Sequence, residues 1–279
     1  MVILPIQTVY ARETDRAPVL HFKISQREIA MINAVNDHLL TVLIPNYNYE
    51  EYIGKAIDSV LAQDYPAIEL IVVDDGSLDG SVAEIRKKLK GVNRLHRSEL
   101  IILKQNRGKL GAINAALGRL TGEYLITLDA DDWLSPSYAS RCIAELRQRR
   151  LRDPSLGFIY SDCHLVDQSG NSIDHGRSTA FDRDLVGKLS FLPEPALMLT
   201  RAFTEVAPFD ETIRVATKHH KWCRVVDNGW TGYHIAEPLF YYRMHTNNLS
   251  GIGPRIIAEA EKGERGERIL SGYWNIAQG

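Results

Sequence analysis

Cysteine is scarce in this chain, with three in 279 residues. Cys142, Cys163 and Cys223 are odd in number and far apart, which argues against a disulfide framework or a zinc site and for buried thiols in a reducing cytoplasm. Long apolar runs are missing as well: nothing approaches the roughly eighteen residues that a membrane-crossing helix needs. Met1–Val9 is short, is interrupted by Pro5, and lacks the basic start and small-residue cleavage site of a secretory signal. Neither sign of charge is in excess, since 33 Lys and Arg against 35 Asp and Glu leave −2, so there is no broad positive field to hold nucleic acid. Internal repeats, low-complexity tracts and Gly/Ser linkers are absent too. What is present is the 44% hydrophobic, 24% charged composition of an ordinary globular protein. At this length roughly three quarters of the surface can be buried without staples.

Residues 1–38 read as an N-terminal appendage. Capping-box spacing at Ser25-Gln26-Arg27-Glu28, with Ile29, Ile32 and Val35 at helical intervals, predicts a short helix there. From Leu39 strands and helices alternate. Thr41-Val42-Leu43-Ile44 is a buried-strand run stopped by Pro45, and Ile53, Ala56, Ile57, Val60 and Leu61 form one helical face. Ile68–Val73 is a second strand, ending in Asp74-Asp75-Gly76-Ser77. Val82, Ile85 and Leu89 mark a second helix, Leu100–Leu103 a third strand and Leu110–Leu120 a third helix. Tyr124–Leu128 is a fourth strand, running into Asp129-Ala130-Asp131-Asp132. This alternation implies right-handed crossovers and a mostly parallel sheet covered on both faces. After residue 155 the rhythm turns irregular, with strands at Phe158–Ser161 and Ile173 around a turn at Ser169-Gly170-Asn171. A strand at 196–199, helices near 200–207 and 217–228, and a strand pair around Pro238 within Tyr233–Tyr242 follow.

In an open parallel sheet, ligands bind beyond the carboxyl ends of the strands. Two acidic clusters fall there, Asp74-Asp75 and Asp129-Ala130-Asp131-Asp132. Carboxylates gathered on one rim repel each other unless something intervenes. A hard divalent ion that shares its shell with phosphate oxygens is one resolution, and helix caps and turns are the other. Spacing alone does not decide: Asp182-Arg183-Asp184 has the same spacing with no strand before it and reads as surface. Asp79, followed by Gly80 and Ser81 before a helix, reads as a cap.

Val42-Leu43-Ile44-Pro45-Asn46-Tyr47-Asn48 resembles the opening strand and loop of the family 2 glycosyltransferases. Further segments resemble that family in the same order: Ala56–Gln63, Val72–Ser77, Asn106–Lys109, Gly122–Trp133, and Phe240–His245 with Asn248 and Ser250. The likeness covers about residues 39–250. It implies an α/β fold of the GT-A type, a Rossmann-like, mostly parallel sheet flanked by helices, with a mixed second half. Residues 39–135 would be the nucleotide-binding half and 136–250 the acceptor half, ahead of a C-terminal helical tail over 251–279. It also implies transfer of a sugar from a nucleoside diphosphate donor, a UDP-sugar favoured, to a hydroxyl on a saccharide or lipid-linked acceptor.

By the same resemblance Pro45, Asn46, Tyr47, Asp74 and Asp75 hold the base, and Lys109 lies near the base or the phosphates. Asp129 and Asp131 hold the ribose; Asp131, Asp132 and His245 hold a Mn²⁺ or Mg²⁺ on the diphosphate. The chemistry agrees, because a departing diphosphate gains charge that a cation stabilises most in the transition state. Each single position has a plainer alternative: Lys109 an exposed lysine at a helix start, His245 an ordinary strand histidine, Tyr47 a core residue.

One segment departs from the family. Inverting members deprotonate the acceptor hydroxyl as it attacks, with a base in a Glu-Asp pair ahead of a Trp-x-Arg segment. Here that helix reads Ala216-Thr217-Lys218-His219-His220-Lys221-Trp222-Cys223-Arg224, which puts Thr217-Lys218 where the pair should stand. A lysine at its usual pKa of about 10.4 is protonated at neutral pH and is a poor base. His219 or His220, ordinarily near 6.5, are candidate replacements, His220 lying closer to the expected face, so that His220, His219 and Lys218 are the catalytic candidates.

Three outcomes are open at the sequence level. A histidine, or another carboxylate such as Glu194 or Asp162, serves as base; the base has been lost, leaving a nucleotide-sugar-binding protein; or the acceptor needs no strong base. A nucleotidyltransferase is set aside, because Pro45-Asn46-Tyr47-Asn48 is not a Gly-rich phosphate loop. Arg141, Arg147, Arg149, Arg150 and Arg152 read either as a solvated helix end or as a surface for peripheral contact with an anionic membrane or lipid-linked acceptor.

Overall fold

The computed structural model describes residues 7–10, 38–188, 190–245 and 275–276. After a short strand β1 (Gln7–Tyr10), the first half alternates β2 (Leu40–Asn46), α1 (Glu50–Leu61), β3 (Ile68–Asp74), α2 (Ser81–Leu89), β4 (Arg97–Ile102), α3 (Gly108–Ala116) and β5 (Tyr124–Thr127). Every residue of β2 and β3 is buried, as a strand covered on both faces must be. α1 turns Ile53, Ala56, Ile57 and Val60 onto the sheet; burying each of the larger three contributes about 1.5–3 kcal/mol. α3 is shorter than its apolar pattern suggested, because the chain tightens into a 3-10 turn at Leu117–Arg119.

β1, β4, β3, β2 and β5 lie side by side in that order and run parallel. From β2 the chain steps outward to β3 and β4, then crosses back to β5 on the other side of β2. That reversal opens a crevice at the carboxyl ends of β2 and β5. Pro45 was expected to stop the strand, yet β2 continues through it to Asn46. Pairing with β5 has already ended at Leu43–Thr127, and Leu43 carbonyl, facing that side, accepts from Leu128. Pro45 is two residues on and faces the same side, so its missing N–H leaves no ladder bond unmade. Asn46 faces β3 instead, where its carbonyl accepts from the Asp75 amide at 2.8 Å.

The second half is mixed, as its irregular rhythm suggested. It comprises β6 (Trp133–Leu134), α4 (Tyr138–Arg150), β7 (Leu156–Val166), β8 (Ser172–Arg177), α5 (Arg183–Val186), β9 (Leu197–Leu199), α6 (Thr200–Thr204), α7 (Thr217–Asp227), β10 (Thr231–Arg243) and β11 (Asn275–Ile276). β9 joins the halves, antiparallel to both β5 and β7, while β10 runs parallel to β7 and carries β6 on its far edge. The strand pair expected around Pro238 is one strand, β10. It shifts register on either side of Pro238, which absorbs the missing donor as an irregularity instead of a turn.

α4 was legible only as an arginine-rich helix end, although Tyr138, Ala139, Cys142, Ile143 and Leu146 recur at helical spacing and are buried. Arg141 pairs with Glu145 at 3.1 Å and Glu237 at 2.9 Å, Arg149 pairs with Glu145 at 2.8 Å, and Arg150 donates to the Pro154 carbonyl at 2.9 Å. Those three guanidinium groups are thus engaged within the protein. Asp182 caps α5 by accepting from the Asp184 and Leu185 amides, in keeping with a surface role for Asp182-Arg183-Asp184. Cys142 and Cys163 are buried free thiols, and Cys223 is a free, half-buried one. Among the described residues no helix is long and apolar enough to cross a membrane. The helix expected at 25–35, Asn248 and Ser250 lie outside the described residues. So does the tail over 251–279, apart from β11, which pairs with β8.

Candidate active site

A cleft of about 980 Å³ opens at the carboxyl ends of β2, β3 and β5. Its first wall is the loop after β2. Asn46 donates from Nδ2 to Asp74 Oδ2 at 2.9 Å, and Ser77 Oγ accepts from the Asn48 amide at 2.9 Å, which ties this loop to the turn after β3. Pro45, Asn46 and Tyr47 line the cleft, and Tyr47 is 38% exposed, so it is not a core residue. Asp74 is fully buried and is not among the lining residues. Its carboxylate holds Asn46 together with the Ser77 amide (3.0 Å) and hydroxyl (2.6 Å). Asp74 therefore shapes the loop from behind the cleft wall. Asp79 behaves as a cap, accepting from the Ser81 and Glu50 amides at the starts of α2 and α1.

Asp75 does line the cleft, but its oxygens already accept from the Arg107 and Gly108 amides, each at 2.7 Å. Burial pushes its pKa up even against those two bonds. Gly108 sits at φ 79°, and Arg214 lies where a Cβ would project, so only glycine suits this start of α3. One residue on, Lys109 forms an ion pair with Asp129 and lies 4.0 Å from Glu194. Burial works against its charge, yet Asp129 and Glu194 outweigh it and hold the pKa above the usual lysine value. It is an interior cation and not an exposed lysine at a helix start.

The floor is the turn after β5. Carboxylate oxygens of Asp129, Asp131 and Asp132 lie within 4.8 Å of one another. Asp129 and Asp131 line the cleft; Asp132 lies beneath, where its Oδ1 accepts from the Arg243 amide at 2.9 Å and its Oδ2 is buried with no hydrogen-bond partner. Burial, then Asp131 and Asp129, drive the Asp132 pKa well above the ordinary carboxylate range. His245, past the end of β10, is buried with Nε2 3.0 Å from Asp131 Oδ2. Tyr49 packs edge-on to the same ring and hydrogen-bonds Asp131. This donor set suits a hard divalent ion: three carboxylates converge, one buried oxygen has no donor, and a cation would relieve the repulsion.

The last wall is the start of α7, where Val215, Ala216, Thr217 and Lys218 line the cleft. His219 and His220 turn away from it. His219 Nε2 lies 2.8 Å from the Val186 carbonyl, while the His220 ring packs against Phe209 with Nε2 buried and unpartnered. Helical geometry gives the reason, since the two residues after Lys218 rotate off its face. Beneath this wall Glu194 is buried against Lys221, 2.5 Å from its Nζ, and Lys221 also reaches Thr127 at 3.2 Å. Asp162 is engaged elsewhere, 2.7 Å from His234 Nε2.

Lys221, Tyr49 and Arg243 are supports that sequence reasoning either missed or left without a role, and Glu194, weighed there as a base, is paired with Lys221. Arg243 alone had a signal, its place in the closing segment beside His245. Its Nε donates to the Asp131 carbonyl at 3.0 Å.

With this geometry in view, relatives are informative. The hyaluronan synthase of Pasteurella multocida is 28% identical over 237 residues, covering 85% of this chain but 23% of its own length. The chondroitin synthase of Escherichia coli is 26% identical over the same span, which is 33% of its length; the chain thus spans a quarter to a third of these relatives. TuaG of Bacillus subtilis, a glycosyltransferase named for teichuronic acid biosynthesis, is 30% identical over 216 residues, 76% of this chain and 81% of TuaG.

Among solved structures, Staphylococcus aureus TarS 1–349 in complex with UDP-GlcNAc shares the fold, with a TM-score of 0.61 and 19% identity over 76% of this chain and 60% of that one. The mannosyltransferase PcManGT of Pyrobaculum calidifontis, in complex with GDP-Man and Mn²⁺, has a TM-score of 0.57 and 21% identity over 84% of this chain and 68% of that one. Residues 41–198 match the sequence family described as glycosyl transferase family 2. A GT-A-type sheet, an acidic cluster at its switch point and that match over more than half the chain have one meaning: the protein belongs to glycosyltransferase family 2.

Proposed function

We propose that this chain transfers a sugar from a nucleoside diphosphate donor, a UDP-sugar favoured, to a hydroxyl of a saccharide or lipid-linked acceptor, with metal assistance and by inverting displacement. The observation that carries this is the meeting of Asp129, Asp131 and Asp132 within 4.8 Å, on the floor of a cleft that also presents Tyr47, Asp75 and Lys109. Two structural neighbours are complexes with UDP-GlcNAc and with GDP-Man and Mn²⁺, which supports a nucleotide-sugar for a cleft in this fold.

Tyr47 offers a face for the base, and Asp75 keeps spare lone pairs for a donor on its edge. Asp131 and Asp132, backed by His245, would hold a Mn²⁺ or Mg²⁺ that neutralises charge on the departing diphosphate. Arg243 and Lys109 position that acidic turn from either side through the Asp131 carbonyl and Asp129.

A second reading, a nucleotide-sugar-binding protein without turnover, is favoured by one feature: the lining residue at the family's base position is the cation Lys218. Melting temperatures with UDP and GDP, with and without Mn²⁺, followed by donor consumption in wild type and Asp131→Ala, separate the two. Metal-dependent binding with turnover that Asp131→Ala abolishes supports transfer. Binding that never leads to turnover supports the second reading, and no nucleotide binding sinks both.

A further inference from the structure

Among the described residues the cleft and its floor contain five cations from the two halves of the chain, and four have partners, Arg243 donating to the Asp131 carbonyl at 3.0 Å. Lys109 is paired with Asp129, Lys221 with Glu194, and Arg214 donates to Asn106 Oδ1 at 3.3 Å. Lys218 is the exception. It lines the cleft and is half-buried, yet among the described residues its ammonium makes no hydrogen bond and no ion pair.

Its position makes an unpaired charge costly, and burial pushes its pKa below the usual lysine value even against the pull of Glu194. Lys218 lies in the first turn of an 11-residue helix, where the helix dipole favours negative charge. That turn contains no acidic residue, and Ala216 before it, at φ 54°, has no capping side chain. The carboxylates whose charge reaches Lys218 are Glu194, Asp129 and Asp132; Lys221, Lys109 and the Arg243 amide hold one oxygen of each, and although Glu194 Oε2 and Asp132 Oδ2 have no donor, none of the three forms an ion pair with Lys218. A lysine that lines the cleft against a helix dipole, and with which no neighbouring acid pairs, is placed to meet an anion supplied from outside.

Resting on the proposed transfer reaction, we propose that Lys218 receives an anionic group, a carboxylate or a phosphate, which the donor sugar or the acceptor carries in addition to the donor's diphosphate. The ammonium at Thr217-Lys218 is then a specificity element and not a replacement base.

The test uses the full chain with Mn²⁺ and compares wild type, Lys218→Met and Lys218→Arg by titration calorimetry. The donor arm sets UDP-glucuronate against UDP-glucose, which differ only in a carboxylate (GDP-mannuronate against GDP-mannose if guanine is the base bound). The acceptor arm uses protein saturated with UDP and sets glycerol 3-phosphate against glycerol, and glucuronate against glucose. In one arm wild type is expected to prefer the anion by about tenfold to a hundredfold, the range of a charged hydrogen bond. Lys218→Met should lose that preference, Lys218→Arg should keep most of it, and affinity for UDP itself should stay within about twofold. The arm that responds identifies whether sugar or acceptor carries the group.

No anion preference in either arm overturns the inference, as does a Lys218→Met protein whose UDP affinity falls equally, since Lys218 would then serve the diphosphate. Wild type that binds no nucleotide overturns the transfer reading, and this inference with it. Matching melting temperatures of the three ligand-free proteins exclude a folding defect.

Discussion

Buried acids gather at both ends of the same parallel strands, and the amino end and the turn after β5 treat them in opposite ways. At the amino end Glu69 of β3 accepts from Thr41 Oγ1, from the Thr121 amide at 2.9 Å and hydroxyl at 2.7 Å, and pairs with Arg97 at 3.0 Å. Donors converge on one acid there, and the result is a tie between β2, β3, β4 and the turn before β5. At the carboxyl end Asp74 of β3 is held by donors in the same way, but after β5 the acids converge on each other. Asp129, Asp131 and Asp132 crowd together and Asp132 Oδ2 has no donor. A buried acid surrounded by donors serves the fold, whereas buried acids surrounded by acids leave a vacancy in the charge balance that a ligand can fill.

This contrast can be broken most directly at Glu69. Glu69→Ala should cost about 3–5 kcal/mol in urea unfolding, because Arg97 and both threonines lose their buried partner. The folded fraction should still bind nucleotide. A cost under about 1 kcal/mol would mean that the amino-end network is not a structural tie.

Metal supplies the next largest effect. UDP with Mn²⁺ at about a hundred times its Kd should stabilise the wild type by roughly 2.7 kcal/mol, and chelation should remove the metal-dependent part. Asp131→Asn should bind UDP without gaining from the metal. Asp132→Asn sharpens the comparison from the other side: without metal it should raise stability by on the order of 1 kcal/mol, since a buried charge beside two like charges disappears. Stability that falls instead would show that Asp132 is held by donors, as Glu69 is.

The smallest effect is a control on the surface. Burial raises the Glu145 pKa, but bonds from Arg141 and Arg149 outweigh it and the net shift is downward. Its contribution, a few tenths of a kcal/mol, should be fully present above the unfolded value near 4.3 and fade as the pH drops through the lowered folded one. Glu145→Gln should flatten that slope in acid titrations of stability.

Much of this was legible along the chain. Short continuous apolar runs and period-3.6 patterns located β2 through β5 and their helices, because strands buried on both faces and helices with one apolar stripe leave different spacings. Their order alone placed Asp75 and Asp129–Asp132 at the ligand edge. α4 was obscured by its arginines, and Pro45 and Pro238 looked like stops, since whether a missing N–H matters depends on which neighbouring strand is still paired. Asp74 and Asp75 are adjacent and chemically identical, yet one ends β3 and braces the loop while the other stands on the turn after it and lines the cleft.

By itself, then, the sequence determined the alternation of elements, the sheet class, the carboxyl-end location of the acidic residues and, through its ordered motifs, the family. These depend on local periodicity and on chain order. Tertiary structure alone decided which charges found partners. Lys109 met Asp129 across 20 residues and Lys221 met Glu194 across 27, His219 and His220 turned from the cleft, and Lys218 was left facing into it. Charge pairing acts through space at a few ångströms, and distance along the chain carries no record of it.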